Sequence, residues 1–167
     1  METGVTADLP SRCKSEPISL LFVGKFRPEK GLTYLLRSIQ VLRDETDLNI
    51  RLRLVGDGTE REHLEELSQN LGIADRIEFA GYVADNGRLR NLYFKSDIFV
   101  LPSIAEGFPR VLNEAMSAGI PIVATNVGGI PLILNDQKHA LLVESRSKTK
   151  LASAIERIII DDDLRES

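Results

Sequence analysis

Two carboxylates and two lysines are the residues here whose types and spacing suit chemistry. Glu106 and Glu114 are separated by Gly107-Phe108-Pro109-Arg110-Val111-Leu112-Asn113. A carboxylate can accept two hydrogen bonds from adjacent hydroxyls, as on a ribose or hexose ring. Gly107 permits close approach of a ligand to the backbone, and Pro109 suits the first turn of a helix. The N–H groups of Arg110 and Val111 would then stand free at that helix's start, where an anion is stabilised. For Glu114 the plainer alternative is a lysine partner or open solvent. Glu106, an acid beside an anion site, requires something to bind. Lys25 and Lys30 fall in the loop Gly24-Lys25-Phe26-Arg27-Pro28-Glu29-Lys30-Gly31. Two ammonium groups, a glycine that lets a ligand near and a helix starting at Lys30 together suit a diphosphate. On spacing alone, a solvated turn with surface lysines is the commoner outcome for such a loop.

The other candidates are weaker. Asn126-Val127-Gly128-Gly129-Ile130-Pro131 reads either as a tight turn with glycines at positive φ or as a loop closing over a ligand, and both stay open. Gly56-Asp57-Gly58-Thr59-Glu60-Arg61 begins like a dinucleotide fingerprint, but Arg61 stands where the third glycine belongs and the segment follows the second strand. Gly24–Gly31 lacks the Gly-Lys-Ser/Thr ending of a P-loop. His63 and His139 share no metal-like spacing with other ligands, and no Ser-His-Asp or Cys-His arrangement can be argued.

The elements that must position these residues follow from periodicity. Ile18–Val23, Ile50–Val55, Arg76–Ala80, Asp97–Leu101, Pro121–Thr125 and Ala140–Val143 read as six short apolar strands. Between them lie helical patterns: Leu32, Leu35, Leu36, Ile39 and Leu42; Leu64, Leu67 and Leu71 behind a Thr59–Glu62 capping box; Leu89, Leu92 and Tyr93; a helix from Pro109 to Gly119. Leu151, Ile155, Ile158 and Ile159 mark a last helix, capped by Ser147. Such alternation predicts an α/β doubly wound, Rossmann-like parallel sheet of about six strands with helices on both faces. Right-handed crossovers then bring every strand's C-terminal end, and so both candidate loops, to one edge.

The 167 residues are 43% hydrophobic and 28% charged, within the globular range. A net charge of −4 gives no bulk case for nucleic acid, and the lone Cys13 forms no internal disulfide. Residues 1–17 are polar and proline-punctuated, a leader or inter-domain linker with no apolar signal-peptide region. Ala115 to Asn135 carries no charge, but its prolines and glycines predict buried strand and turns rather than a membrane helix.

Taken together, FVGKFRPEKG, LRLVGDGTER, IEFAGYV, SDIFVLPSIAEGFPRVLNEAMSAGIPIVATNVGGIP and HALLV resemble the C-terminal domain of a large retaining glycosyltransferase family. That family includes glycogen and sucrose-phosphate synthases and many cell-envelope mannosyltransferases. The matches run in family order from about Ile18 to Ile160. The resemblance implies one half of a GT-B fold, in which two Rossmann-like domains enclose the active site. It implies a nucleotide-diphosphate-sugar donor, a UDP-sugar by preference, and no metal or other cofactor. Lys25 and Lys30 would neutralise the diphosphate near Gly24. Glu106 would contact the donor sugar, with Gly107, Phe108, Pro109 and Val111 offering backbone. Glu114 would hold the ribose hydroxyls, and the backbone around Tyr82, Val83 and Ala84 would face the base. Lys25 stands where many members have arginine, and Leu132 where a glutamate often follows the Gly-Gly-x-Pro run. The resemblance also implies an N-terminal acceptor-binding domain outside these residues, with 161–167 the start of a helix leading back to it. An acceptor sugar or lipid and a cytoplasmic location, peripheral to a membrane through that domain, are further expectations. The rival readings are an epimerase or phosphorylase half and a non-catalytic nucleotide-binding module.

Overall fold

The computed structural model describes residues 16–138, 140–161 and 163–164. The expectations for 1–15, for Cys13 and His139, and for 162 and 165–167 lie outside the described residues. The chain runs β1 (Ile18–Val23), α1 (Leu32–Glu45), β2 (Ile50–Val55), α2 (Arg61–Asn70), β3 (Ile77–Gly81), α3 (Asn86–Lys95) and β4 (Ile98–Leu101). It continues through α4 (Val111–Ser117), β5 (Ile122–Thr125), α5 (Ile130–Ile133), β6 (Ala140–Val143) and α6 (Lys148–Ile160).

The six strands form one sheet in the order β3-β2-β1-β4-β5-β6, and every pairing is parallel. The chain moves outward through β2 and β3, then crosses back by α3 to β4. Right-handed crossovers therefore place α1 and α2 on one face and α3, α4 and α5 on the other. From β6 the chain returns through α6, which packs on α1. Burial follows the same plan. β4 and β5 are buried at every position, because helices cover both their faces, whereas the edge strand β3 alternates between half-buried and exposed residues. Leu20, Leu21 and Phe22 of β1 are fully buried at the centre of the core. Each such side chain contributes about 1.5–3 kcal/mol by leaving water. In α1 the buried set includes Leu32, Leu35, Leu36, Ile39 and Leu42, the stripe its periodicity marks.

Local chemistry departs from expectation at four points. The Thr59–Glu62 capping box does not form: Glu60 occupies the cap of α2 without a side-chain bond, because its N–H donates 3.0 Å to the Phe26 carbonyl of a distant loop. Lys30 does not start a long helix. It closes a 3-10 turn (Pro28–Lys30), and Gly31 in the left-handed region leads into α1. Pro109 precedes α4 rather than opening it, with Arg110 as the cap residue. The Asn126–Pro131 loop ends in the short helix α5, which has Pro131 in its first turn. Two caps are built from side chains: Asp85 accepts from the Arg88 N–H at 2.7 Å, and Ser147 accepts from Lys150 at 3.2 Å as periodicity predicts.

Candidate functional site

All strands being parallel, the loops after β1, β2, β3, β4 and β5 share the C-terminal edge of the sheet. Backbone hydrogen bonds join them beyond the strands. Gly24 donates to Val55 at 3.0 Å, Phe26 to Asp57 at 2.9 Å, and Ile104 to Glu29 at 2.8 Å. Two glycines make tight crossings on either side of the loop after β4. Gly31 sits at φ 67°, where a Cβ would lie 2.0 Å from the Pro102 carbonyl oxygen. Gly128 sits at φ 53°, where a Cβ would lie 1.8 Å from the carbonyl oxygen of Glu106. No side chain fits either place. Gly129 adds an N–H bond of 3.0 Å to the Gly107 carbonyl. The glycines of Asn126–Pro131 thus bear directly on the loop that carries Glu106.

At this junction the Lys30 ammonium donates 2.6 Å to Oε1 of Glu106, and Ser103 Oγ donates to the same oxygen at 2.7 Å. Glu106 has a side chain 7% exposed and Lys30 one 21% exposed. Thr125, buried at the end of β5, donates from Oγ1 at 2.6 Å to the Ser103 carbonyl and fixes that residue in turn. The lysine and the nearer acid are therefore one unit. What Glu106 binds is Lys30 and Ser103. Lysine has three N–H donors and each carboxylate oxygen two lone pairs, so both groups keep capacity for a ligand. Lys25 stands exposed on the same loop.

The second acid lies apart from this pair. Glu114, in the first turn of α4, lines a groove of about 640 Å³ between α3 and α4, together with Asn86, Arg90, Tyr93, Phe94 and Asn113. Its Oε2 accepts 2.8 Å from the hydroxyl of Tyr93, a residue only 2% exposed and stacked at a tilt on Phe99, 5.5 Å between ring centroids. Desolvation first, then the hydrogen bond to Glu114 and its charge, push the Tyr93 phenol well above the usual tyrosine range. The partner of Glu114 is this tyrosine rather than a lysine, and the residue is otherwise exposed to solvent.

Of the remaining residues, Tyr82 is 78% exposed and follows Gly81 at the end of β3, while Val83 is half-buried and Ala84 exposed. Gly107 and Phe108 are exposed, Pro109 buried and Val111 half-buried. Among the described residues no three His, Cys, Asp or Glu side chains gather as a metal site, and no helix is long and apolar enough to cross a membrane. Three polar partners escaped the sequence: Ser103, Thr125 and Tyr93. Ser103 lies in a loop already marked for the edge, but its bond, like those of the others, depends on tertiary placement.

An all-parallel doubly wound sheet in this order is Rossmann-like, and it matches the domains of GT-B glycosyltransferases. The chain belongs to the family described as Glycosyl transferases group 1, whose model matches residues 10–167. A D-inositol 3-phosphate glycosyltransferase of Corynebacterium diphtheriae is 32% identical over 163 residues, spanning 93% of this chain and 38% of that protein. A GDP-mannose-dependent alpha-(1-6)-phosphatidylinositol monomannoside mannosyltransferase of Mycobacterium tuberculosis is 31% identical over 165 residues, spanning 94% and 42%. The chain thus spans about two fifths of the length of the curated relatives it matches. Among solved structures, the C-terminal domain of LpcC, a group 1 family protein of Francisella tularensis, aligns with a TM-score of 0.79 and 27% identity, covering 89% of this chain and 78% of that one. HepE of Anabaena, solved with UDP and glucose, gives 0.80 and 25% over 90% of this chain and 40% of its own.

Proposed function

We propose that the chain is the donor-binding half of a retaining hexosyltransferase and takes a nucleotide-diphosphate sugar, a UDP-sugar first. The observation that carries this reading is the Lys30–Glu106 pair at the strand edge, in a fold shared with a protein solved with UDP and glucose. When the glycosidic bond breaks, the electron pair leaves with the diphosphate. Lys25 and Lys30 supply positive charge where that charge grows, each worth about 2–4 kcal/mol of barrier in the complete enzyme. Glu106, held by Ser103 and Lys30, has a fixed orientation and accepts from the sugar's hydroxyls, so it positions the sugar rather than attacking it. Glu114 accepts from the ribose, and backbone at Tyr82–Ala84 meets the base. In this reading the lysines neutralise the diphosphate without a metal, and the acceptor binds a second domain. The chain works in the cytoplasm, at a membrane if its acceptor is lipid-borne.

GDP is the second reading for the base, favoured by the mycobacterial relative named GDP-mannose-dependent. Calorimetry of the chain against UDP, GDP, ADP and their glucose or mannose conjugates tests both. Tighter binding of uridine nucleotides supports the first reading and of guanosine nucleotides the second. Absence of any nucleotide binding overturns the donor-domain assignment.

A further inference from the structure

We infer that Tyr93 is a positioning residue of the nucleotide site, setting the Glu114 carboxylate for hydroxyl recognition; the inference rests on the donor-binding reading above. Glu114 belongs to a short helix at the wall of an open groove and is itself exposed. A carboxylate on such a site samples several rotamers, and binding must then freeze them at an entropic cost. Here one oxygen is already anchored. The Tyr93 hydroxyl donates to Oε2 at 2.8 Å. The donor cannot swing away, because its ring is packed into the core against Phe99 and almost wholly buried.

The polarity of this bond runs one way. An ionised carboxylate only accepts, so the phenol donates and stays protonated. Among the described residues nothing donates to Oε1 of Glu114, and the residue lines a groove shared with Asn86, Arg90 and Asn113. The pair therefore presents an oriented acceptor with one oxygen committed inward and one open. A vicinal diol is the ligand chemistry that such an acceptor fits. Tyr93 touches no ligand in this scheme; its effect passes through Glu114.

The test compares dissociation constants of the chain for UDP and for 2′,3′-dideoxy-UDP, or the guanosine pair if guanine is the preferred base. Tyr93→Phe keeps the ring and removes one oxygen. It is expected to weaken ribonucleotide binding by about five- to tenfold and to leave the dideoxy ligand within twofold. In a Glu114→Gln background the same change should have no further effect. Equal weakening of both ligands shows a packing role and overturns the inference, as does no weakening of either. If Tyr93→Phe fails to fold, fluorine NMR of 3-fluorotyrosine at position 93 reads the same question in an otherwise unaltered chain. A resonance moved by UDP and not by the dideoxy analogue supports the inference, and identical responses overturn it. Failure of the unsubstituted chain to bind any ribonucleotide overturns the donor-binding reading itself and the inference with it, an outcome distinct from the others.

Discussion

Lys30 and Glu106 lie 76 residues apart, yet the ammonium and carboxylate meet at 2.6 Å across the junction of the loops after β1 and β4. The pair is both a fastener between those loops and the most buried charge at the sheet edge. Removing one partner leaves the other poorly solvated and without its counter-charge, although Ser103 still donates to Glu106. Lys30→Met or Glu106→Gln should each cost about 1–3 kcal/mol of stability. The double substitution should cost clearly less than the sum, since the second change then removes a group already orphaned. Urea unfolding of the four proteins checks this, and additive losses would refute the coupling.

The two acids should divide the labour of binding. Glu114 faces the groove with Tyr93, whereas Glu106 sits with Lys30 and Ser103. Glu114→Gln is expected to weaken UDP and UDP-sugar alike, by roughly 1.5–3 kcal/mol. Glu106→Gln is expected to weaken chiefly the sugar-bearing ligand. Calorimetry with both ligands decides it, and equal losses in both variants would remove the division.

Gly128 makes a sharper structural prediction. An alanine there meets the Glu106 carbonyl at 1.8 Å from a backbone with φ 53°. The left-handed conformation alone costs about 1–2 kcal/mol for a residue with a Cβ, and no rotamer relieves a clash with backbone. Gly128→Ala should lower stability by more than that and displace the loop bearing Glu106. A fall in melting temperature with weakened donor binding is the expected result. Gly119→Ala serves as the control: its φ is also positive but its Cβ position is open, so it should lose stability without losing binding.

The contrast between these loops and the sheet explains what could be read beforehand. Periodicity is local, so Leu32, Leu35, Leu36, Ile39 and Leu42 disclose α1, and the apolar runs of β4 and β5 disclose strands covered on both faces. Alternation of the two then dictates a parallel sheet and brings Lys30 and Glu106 to one edge. Their direct pairing is not local. It depends on Gly31 letting the Pro102 carbonyl close in, which neither segment encodes by itself. The Thr59–Glu62 box failed for the same reason, its turn being claimed by Phe26 from another loop. Tyr93 reads only as an apolar-face residue of α3, because its hydroxyl finds a use once α4 is in place.

Tyr93 also sets a pH dependence. Its phenol is harder to ionise in the folded protein than in the unfolded chain, where the pKa is about 10. Above pH 10 the unfolded state gives up a proton that the folded state keeps, so alkali favours unfolding. The contribution is fully present below pH 10 and is lost as pH rises through the folded value, at up to about 1.4 kcal/mol per pH unit. Urea unfolding of the wild type and Tyr93→Phe between pH 9 and 11.5 should show the wild type falling more steeply. Parallel curves would contradict the buried, proton-retaining phenol.

The last prediction concerns what these residues do alone. The sheet encloses a core of its own in which Leu20, Leu21, Phe22, Val100 and Val123 are wholly buried, so the 167-residue chain should fold without a second domain. It should also bind a nucleotide, though modestly. Lys25 is exposed and Lys30 reaches the same edge, and water on the open side of that edge screens their attraction for a diphosphate. A closed site would exclude this water and strengthen the same charges. Proximity is the other missing factor, since in the reading proposed above the acceptor binds a second domain. The expected result is binding without transfer. Incubating the chain with labelled donor and candidate acceptors, beside a protein that joins it to a second GT-B domain, makes the comparison. Sugar transfer by the chain alone at the two-domain rate would overturn the assignment of acceptor and catalytic surfaces to another domain.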